Sequence, residues 1–181
     1  MVRHRDISAS NLMYYRDGDG NVMGVLNDMD LASLIWDKGP KGHERTGTVP
    51  FMARQLLRGE VEHRYEHDIE SFIWVLVWVC VRYNEGQLRS DRSRQLDEWA
   101  KADMRQCRQM KDSFVIRDRD KAKPSSSHVD NWKLANRCLT ILQVRDAQAR
   151  IMSEPTHPLS QDEVYSDLRN AVESIRPVAM A

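Results

Sequence analysis

His4-Arg5-Asp6-Ile7-Ser8-Ala9-Ser10-Asn11 is the stretch from which the rest of the chain can be read. It sets a carboxylate, Asp6, and a neutral amide, Asn11, five positions apart on one tight loop. Moving a phosphoryl group onto a hydroxyl needs a carboxylate to accept or steer the hydroxyl proton. It also needs oxygen ligands that hold Mg²⁺ against the phosphates. Mg²⁺ takes few protein ligands and keeps several waters, so one further carboxylate completes such a set. Asp28 is the candidate.

The residues between Asn11 and Asp28 predict a β-hairpin. Leu12-Met13-Tyr14-Tyr15 is apolar and aromatic, Asp17-Gly18-Asp19-Gly20-Asn21 is dense turn chemistry, and Val22-Met23-Gly24-Val25-Leu26 is apolar again. Two strands joined there would return Asp28 to the neighbourhood of Asn11. The turn also faintly mimics a Ca²⁺ loop, but Val22 stands where that loop needs Gly, so a plain turn is expected.

Four blocks in order now carry a resemblance. His4 to Asn11 resembles the protein kinase signature H-R-D-x-x-x-x-N. Asp28-Met29-Asp30 stands where D-F-G would be, and Thr46-Gly47-Thr48-Val49-Pro50-Phe51-Met52-Ala53 is similar to the end of an activation segment. His67-Asp68-Ile69-Glu70-Ser71, followed by an apolar run, is similar to the start of the buried central helix of the large lobe. Together they resemble the fungal-type protein kinase family, well over roughly residues 3–85 and weakly beyond. The resemblance implies Asp6 as catalytic base and Asn11 and Asp28 as Mg²⁺ ligands, with ATP as substrate. It further implies Arg5 as a partner for a phosphate or acid on the activation segment and His4 as a packing residue beneath it. Thr48 would hydrogen-bond toward Asp6, and Asp68 would brace the catalytic-loop backbone.

The departures are specific. Ser8 occupies the position where serine/threonine kinases use Lys to neutralise phosphate charge. Met29 is an apolar substitute for Phe, and Asp30 replaces Gly and adds an acid near the metal position. Arg54-Gln55 replaces Pro-Glu, so Gln55 can hydrogen-bond but cannot form the ion pair expected there. No G-x-G-x-x-G occurs in the sequence, and Met1-Val2-Arg3 alone precedes His4. The expectation is a mainly α chain with a small β-hairpin (α+β): a protein-kinase-like large (C-terminal) lobe lacking the N-terminal lobe. It would cover residues 1–181, with catalytic loop and activation segment at 1–58 and a helical subdomain at 59–181. As such a fragment it is expected to turn over little by itself.

Phe72-Ile73-Trp74-Val75-Leu76-Val77-Trp78-Val79-Cys80-Val81 is apolar all round, which requires burial on every side. A missing N-terminal lobe or another protein would cover the helix at 69–81. The rest is helix-biased. Helical spacing is read over Asp91–Lys111 and again around Trp132, Leu134, Leu139 and Leu142, with a charged surface loop at Arg117–Ser127. Pro155 and Pro158 end that pattern, and Ser160-Gln161-Asp162-Glu163 suggests a capping box for a last helix near Gln161–Ser174.

Lys+Arg and Asp+Glu are both 27, giving zero formal charge and no nucleic-acid or membrane-surface footprint. Cys80, Cys107 and Cys138 are odd in number and well separated, which reads as reduced thiols in an intracellular chain, cytoplasmic or nuclear. His63 and His67 could share a helix face, but packing outweighs metal binding without a third ligand.

The leading expectation is an ATP-dependent phosphotransferase acting on protein Ser or Thr. Two alternatives stand. Small-molecule kinases of the aminoglycoside and choline type share H-x-D-x-x-x-x-N and a later D-x-[DE], which Asp28-Met29-Asp30 and Ser8 would fit. A pseudokinase-like interaction module is the non-catalytic one.

Overall fold

The computed structural model describes residues 2–34, 47–59, 61–90 and 94–151, together with Ser166 and Asn170. The chain is mainly helical with small antiparallel sheets, an α+β composition. It divides into two units, residues 1–75 with 96–111, and residues 76–95 with 112–181.

The first unit opens on β1 (Val2–Arg3) and β2 (Leu12–Arg16). β3 (Val22–Leu26) pairs antiparallel with β2, Leu12 opposite Leu26 and Arg16 opposite Val22. This is the expected hairpin, and its turn shows why. The Asp17 carboxylate accepts from the backbone N–H of Asp19 and Asn21 and from Asn21 Nδ2, at 3.0, 2.8 and 3.1 Å. Those bonds lower the Asp17 pKa, and the side-chain bond from Asn21 is the largest cause. The carboxylate closes a turn rather than facing a cation. β4 (Ser33–Leu34) pairs antiparallel with β1, so the segment after Asp28 returns beside the entry to the catalytic loop.

After Ala53 comes a short helix α1 (Arg54–Arg58), and then the long helix α2 (Tyr65–Arg82). α2 starts with Glu66 and Asp68 in its first turn and ends with Arg82, each favourable to the helix dipole. Its β-branched and aromatic run is a poor isolated helix, and burial overrides propensity. Ile73, Trp74, Val75, Val77, Trp78, Cys80 and Val81 are buried, while Phe72 is exposed. Within this unit Trp74 meets Trp99 edge to face at 5.4 Å between ring centroids, and Leu57, Phe51 and Ile73 are buried.

The single helical pattern expected over Asp91–Lys111 divides in the structure; residues 91–93 lie outside the described residues. Leu96 adopts a left-handed φ of 67° and opens a short 3₁₀ turn, Asp97–Ala100. A second helix start then follows, α3 (Met104–Ser113). Asp103 and Gln106 cap it reciprocally: Gln106 N–H donates to Asp103 Oδ1 at 2.8 Å and Asp103 N–H to Gln106 Oε1 at 3.3 Å. That is a capping box, a stronger local signal than the continued apolar spacing.

In the second unit β5 (Tyr83–Asn84) and β6 (Gln87–Leu88) form a minimal hairpin. Phe114–Asp118 is a π-helical stretch, and 3₁₀ turns follow at Arg119–Lys121 and Ser126–His128. The stretch from Arg117 to Ser127, expected as a loop, is therefore largely turned. Its charge keeps it on the surface, but the backbone still closes local bonds. α4 (Val129–Ile151) is the last helix described in full. Trp132 packs edge to face on Phe114 at 6.5 Å, and Leu139 and Cys138 of α4 are buried. The two prolines, the Ser160–Glu163 capping box and most of the helix expected near Gln161–Ser174 lie outside the described residues; Ser166 and Asn170 are helical.

Candidate active site

Asp6 is held from three sides. Thr48 donates twice to Asp6 Oδ1, through its backbone N–H and its hydroxyl, both at 2.9 Å. Asn11 Nδ2 donates to the Asp6 carbonyl at 2.8 Å and reaches toward Oδ2 at 3.5 Å. The Asp6 N–H donates to His4 Nδ1 at 3.3 Å. A backbone N–H can only donate, so His4 Nδ1 accepts, and its Nε2–H donates to the Asn27 carbonyl at 2.8 Å. His4 thus ties the catalytic loop to the residue before Asp28. With Oδ1 engaged by Thr48, the Oδ2 edge of Asp6 remains for an incoming hydroxyl.

The hairpin delivers Asp28. Asn27 N–H donates to the Asn11 carbonyl at 2.8 Å, so Asp28 follows directly on the bond that closes the strand pair. Asp28 takes a left-handed φ of 60°, as does Arg5 at 73°. Such conformations cost about 1–3 kcal/mol each and persist only where surrounding contacts enforce them. Asn11 and Asp28 are the residues that could hold a divalent cation. Asn11 spends its amide nitrogen on Asp6, which leaves its amide oxygen as the ligand atom. Among the described residues no hydrogen bond or ion pair engages the exposed Asp28 carboxylate. No group of three His, Cys, Asp or Glu side chains gathers as a metal site among the described residues. The pair therefore suits an ion that keeps most of its waters or binds with phosphate.

Asp68, on the first turn of α2, carries the loop backbone. Its carboxylate accepts from the N–H groups of His4 at 2.7 Å and Arg5 at 3.1 Å, and from His63 Nε2 at 2.9 Å. It is 5 % exposed, so each bond forms away from water. The Arg5 Nε–H is buried without a hydrogen-bond partner among the described residues. Ser8 is buried, and its hydroxyl pairs with Ser10 at 2.8 Å.

Thr48 is placed by a segment with its own anchors. Gly47 sits at φ 124°, and a Cβ there would stand 3.2 Å from the Arg5 carbonyl and from Met52 Cγ. Pro50 to Ala53 are buried. Beyond them the sequence reading missed a charged core. Arg54 donates to Glu70 Oε1 through its backbone N–H at 3.0 Å and its Nε at 2.9 Å, and Trp74 Nε1 donates to the same oxygen at 3.0 Å. Burial alone would raise the Glu70 pKa, but Arg54 and Lys111 outweigh it and hold the carboxyl below its usual range. Lys111 is fully buried, donates to the Met52 carbonyl, and lies 4.9 Å from the Trp74 ring and 5.8 Å from Trp99. Burial pushes its ammonium down to about 7, partly opposed by Cys107 and Glu70.

Gln55 does not leave its position loose. Its Oε1 accepts from His67 Nε2 at 3.1 Å, while His67 Nδ1 accepts from Arg64 N–H at 3.0 Å. Burial, with His63 nearby, lowers His67 to about 4. His63 and His67 are thus packing residues, ring to ring at 5.5 Å. Cys80, Cys107 and Cys138 are free and buried, and burial raises all three thiols.

The structure gathers Asp6, Asn11, Thr48, His4, Arg5 and Asp68 into one bonded set and brings Asp28 to its edge. The Glu70 role could have been suspected from an acid two positions before the apolar run Phe72–Val81. Lys111 carries no comparable sequence signal.

A carboxylate steadied by a threonine, an amide beside it and a helix carboxylate under the loop form the arrangement that the resemblance to protein kinases implies. A family model described as Fungal protein kinase matches residues 2–80. That match supports a fungal-type protein kinase family for this span, which is less than half of the chain. The matched span ends close to where the resemblance fades in the sequence. No curated protein and no solved structure matches the chain. Among the described residues no helix is long and apolar enough to cross a membrane.

Proposed function

We propose that this chain carries the catalytic loop of an ATP- and Mg²⁺-dependent protein kinase, within the kinase-type large lobe of an enzyme that transfers the γ-phosphoryl group to Ser or Thr of a protein. The observation that supports it most is the double hydrogen bond from Thr48 to one oxygen of Asp6. It fixes the carboxylate so that its other oxygen can take the proton of an acceptor hydroxyl as the oxygen attacks phosphorus. Asn11 and Asp28 would hold Mg²⁺, which neutralises phosphate charge. Arg5 would receive a phosphate or acid of the activation segment. Thr48 lies in the Gly47–Ala53 block, which resembles the end of a protein kinase activation segment. That resemblance favours protein over amino-alcohol or sugar acceptors.

The test is binding of ATP with Mn²⁺ in place of Mg²⁺, followed by nuclear magnetic resonance. Paramagnetic broadening is expected at the amides of Asn11 and Asp28 and is lost in Asp28→Ala. Phosphate transfer to protein acceptors is expected to vanish in Asp6→Ala while nucleotide binding remains. Broadening elsewhere, or binding indifferent to Asp28→Ala, would overturn the reading.

A further inference from the structure

An open cleft of about 520 Å³ lies between α1 and the start of α3, lined by Leu57, Arg58, Asp103, Met104, Arg105 and Arg108. Its chemistry is one-sided. Arg58 and Arg105 are exposed, and among the described residues neither guanidinium has a hydrogen bond or ion pair. Asp103, the lone acid in the lining, already accepts the Gln106 N–H as a helix cap. Met104 is half-buried and Leu57 buried, so the apolar base of the cleft is offered by Met104.

Both walls are tied to the segment that steadies Asp6. α1 begins directly after Ala53. From α3, Cys107 Sγ reaches the Val49 carbonyl at 3.7 Å and Lys111 Nζ the Met52 carbonyl. A polypeptide seated in the cleft would share a support with Thr48 and hence with the Asp6 carboxylate. Guanidinium groups favour planar two-point pairing with carboxylate or phosphate oxygens, and the apolar base adds area that a bare polyanion cannot use.

We infer that this cleft docks an acidic segment of the protein acceptor, its carboxylate or phosphate side chains on Arg58 and Arg105 and an apolar side chain on Met104. The inference deepens the protein-acceptor reading above and rests on it. Its test is a binding measurement without nucleotide, so that a failure of docking and a failure of phosphate transfer are read separately.

The probes are a fluorescent peptide of Glu residues flanking a Leu, its phosphoserine counterpart, a matched Gln peptide and a single-stranded oligonucleotide of equal charge. The acidic peptides should bind this chain at least about tenfold more tightly than the Gln peptide, and more weakly as salt rises. The double variant Arg58→Glu/Arg105→Glu should lose that preference. Arg58→Gln/Arg105→Gln gives a milder loss with an unchanged melting temperature. A matched reversal at Lys123 and Lys133, both exposed in the other unit, should leave it intact. Equal binding of the Gln peptide overturns the inference, as does equal or tighter binding of the oligonucleotide. Acidic-peptide binding that survives both arginine variants also overturns it. Preferential acidic binding in a chain whose Mn²⁺–ATP binding is indifferent to Asp28→Ala would keep the docking site and remove the kinase reading.

Discussion

Arg54 and Glu70 form a buried ion pair, Nε to Oε1 at 2.9 Å, with side-chain exposures of only 9 % and 10 %. The activation-segment end was expected to lack its ion pair because Gln55 stands where an acid would be. The pair is present one residue earlier with the cation on the segment and the acid on α2. Removing one partner strands the other in the core, so Arg54→Ala and Glu70→Ala should each lose about 3–5 kcal/mol of stability. Arg54→Ala with Glu70→Ala should cost less than the two single losses summed, since no lone charge of the pair remains. Urea unfolding of the cycle measures this, and strictly additive losses would show that the pair is not coupled.

Lys111 makes stability depend on pH in a defined direction. Its folded pKa, about 7, lies below its ordinary value of 10.5. Between those values the unfolded chain binds a proton that the folded chain does not, so stability from this residue rises with pH from about 7 toward 10.5. Below about 7 both states are protonated, and the folded state bears the buried charge. In Lys111→Met the contribution to the slope disappears. The variant should gain on the parent at pH 6 and lose that advantage near pH 9, read as urea midpoints. Parallel pH profiles for the two proteins would contradict the assignment.

Local chemistry was legible in the sequence, and long-range charge was not. The hairpin could be read because Asp17 and Asn21 write their own turn, and its register then follows from matched apolar strands. The burial of α2 could be read because nothing polar interrupts Phe72–Val81. The loop pair Asp6 and Asn11 is close in sequence, so spacing alone suggested their proximity. Lys111 is opposite in kind. Lysine in a charged helix reads as surface, and its burial depends on Trp74, Trp99 and the Met52 carbonyl, all remote in sequence. The break within Asp91–Lys111 was hidden because Leu96 is an unusual residue for a left-handed φ of 67°. The Asp103–Gln106 cap was written in the chain but masked by continuing apolar spacing.

Asp68 should control the catalytic loop through the backbone rather than through charge at the reacting atoms. Asp68→Ala leaves the His4 and Arg5 N–H groups without their buried acceptor, at about 1–3 kcal/mol for each. Asp68→Asn retains an oxygen and should lose less. The distinguishing readout is amide hydrogen exchange. His4 and Arg5 should exchange faster in the variants, and Mn²⁺–ATP broadening at Asn11 should weaken with them. Exchange at parental rates in Asp68→Ala would remove the brace from the mechanism.

Gly47 should be the most sensitive glycine in the catalytic segment. Alanine there meets two penalties, the left-handed φ of 124° and a Cβ pressed to 3.2 Å from the Arg5 carbonyl. Backbone carbonyls do not yield as a flexible side chain does, so the segment itself must shift and carry Thr48 from Asp6. Gly20 provides the contrast, because its φ of 84° is also left-handed but nothing lies within 4 Å of an added Cβ. Gly20→Ala should cost about 1–2 kcal/mol, the conformational term alone. Gly47→Ala should cost more and change the Thr48 amide resonance, which Gly20→Ala leaves in place. Phosphate transfer should fall with that resonance shift rather than with melting temperature. If the two alanine variants lose equal stability and neither moves Thr48, the close packing of Gly47 on Arg5 is not what positions the threonine.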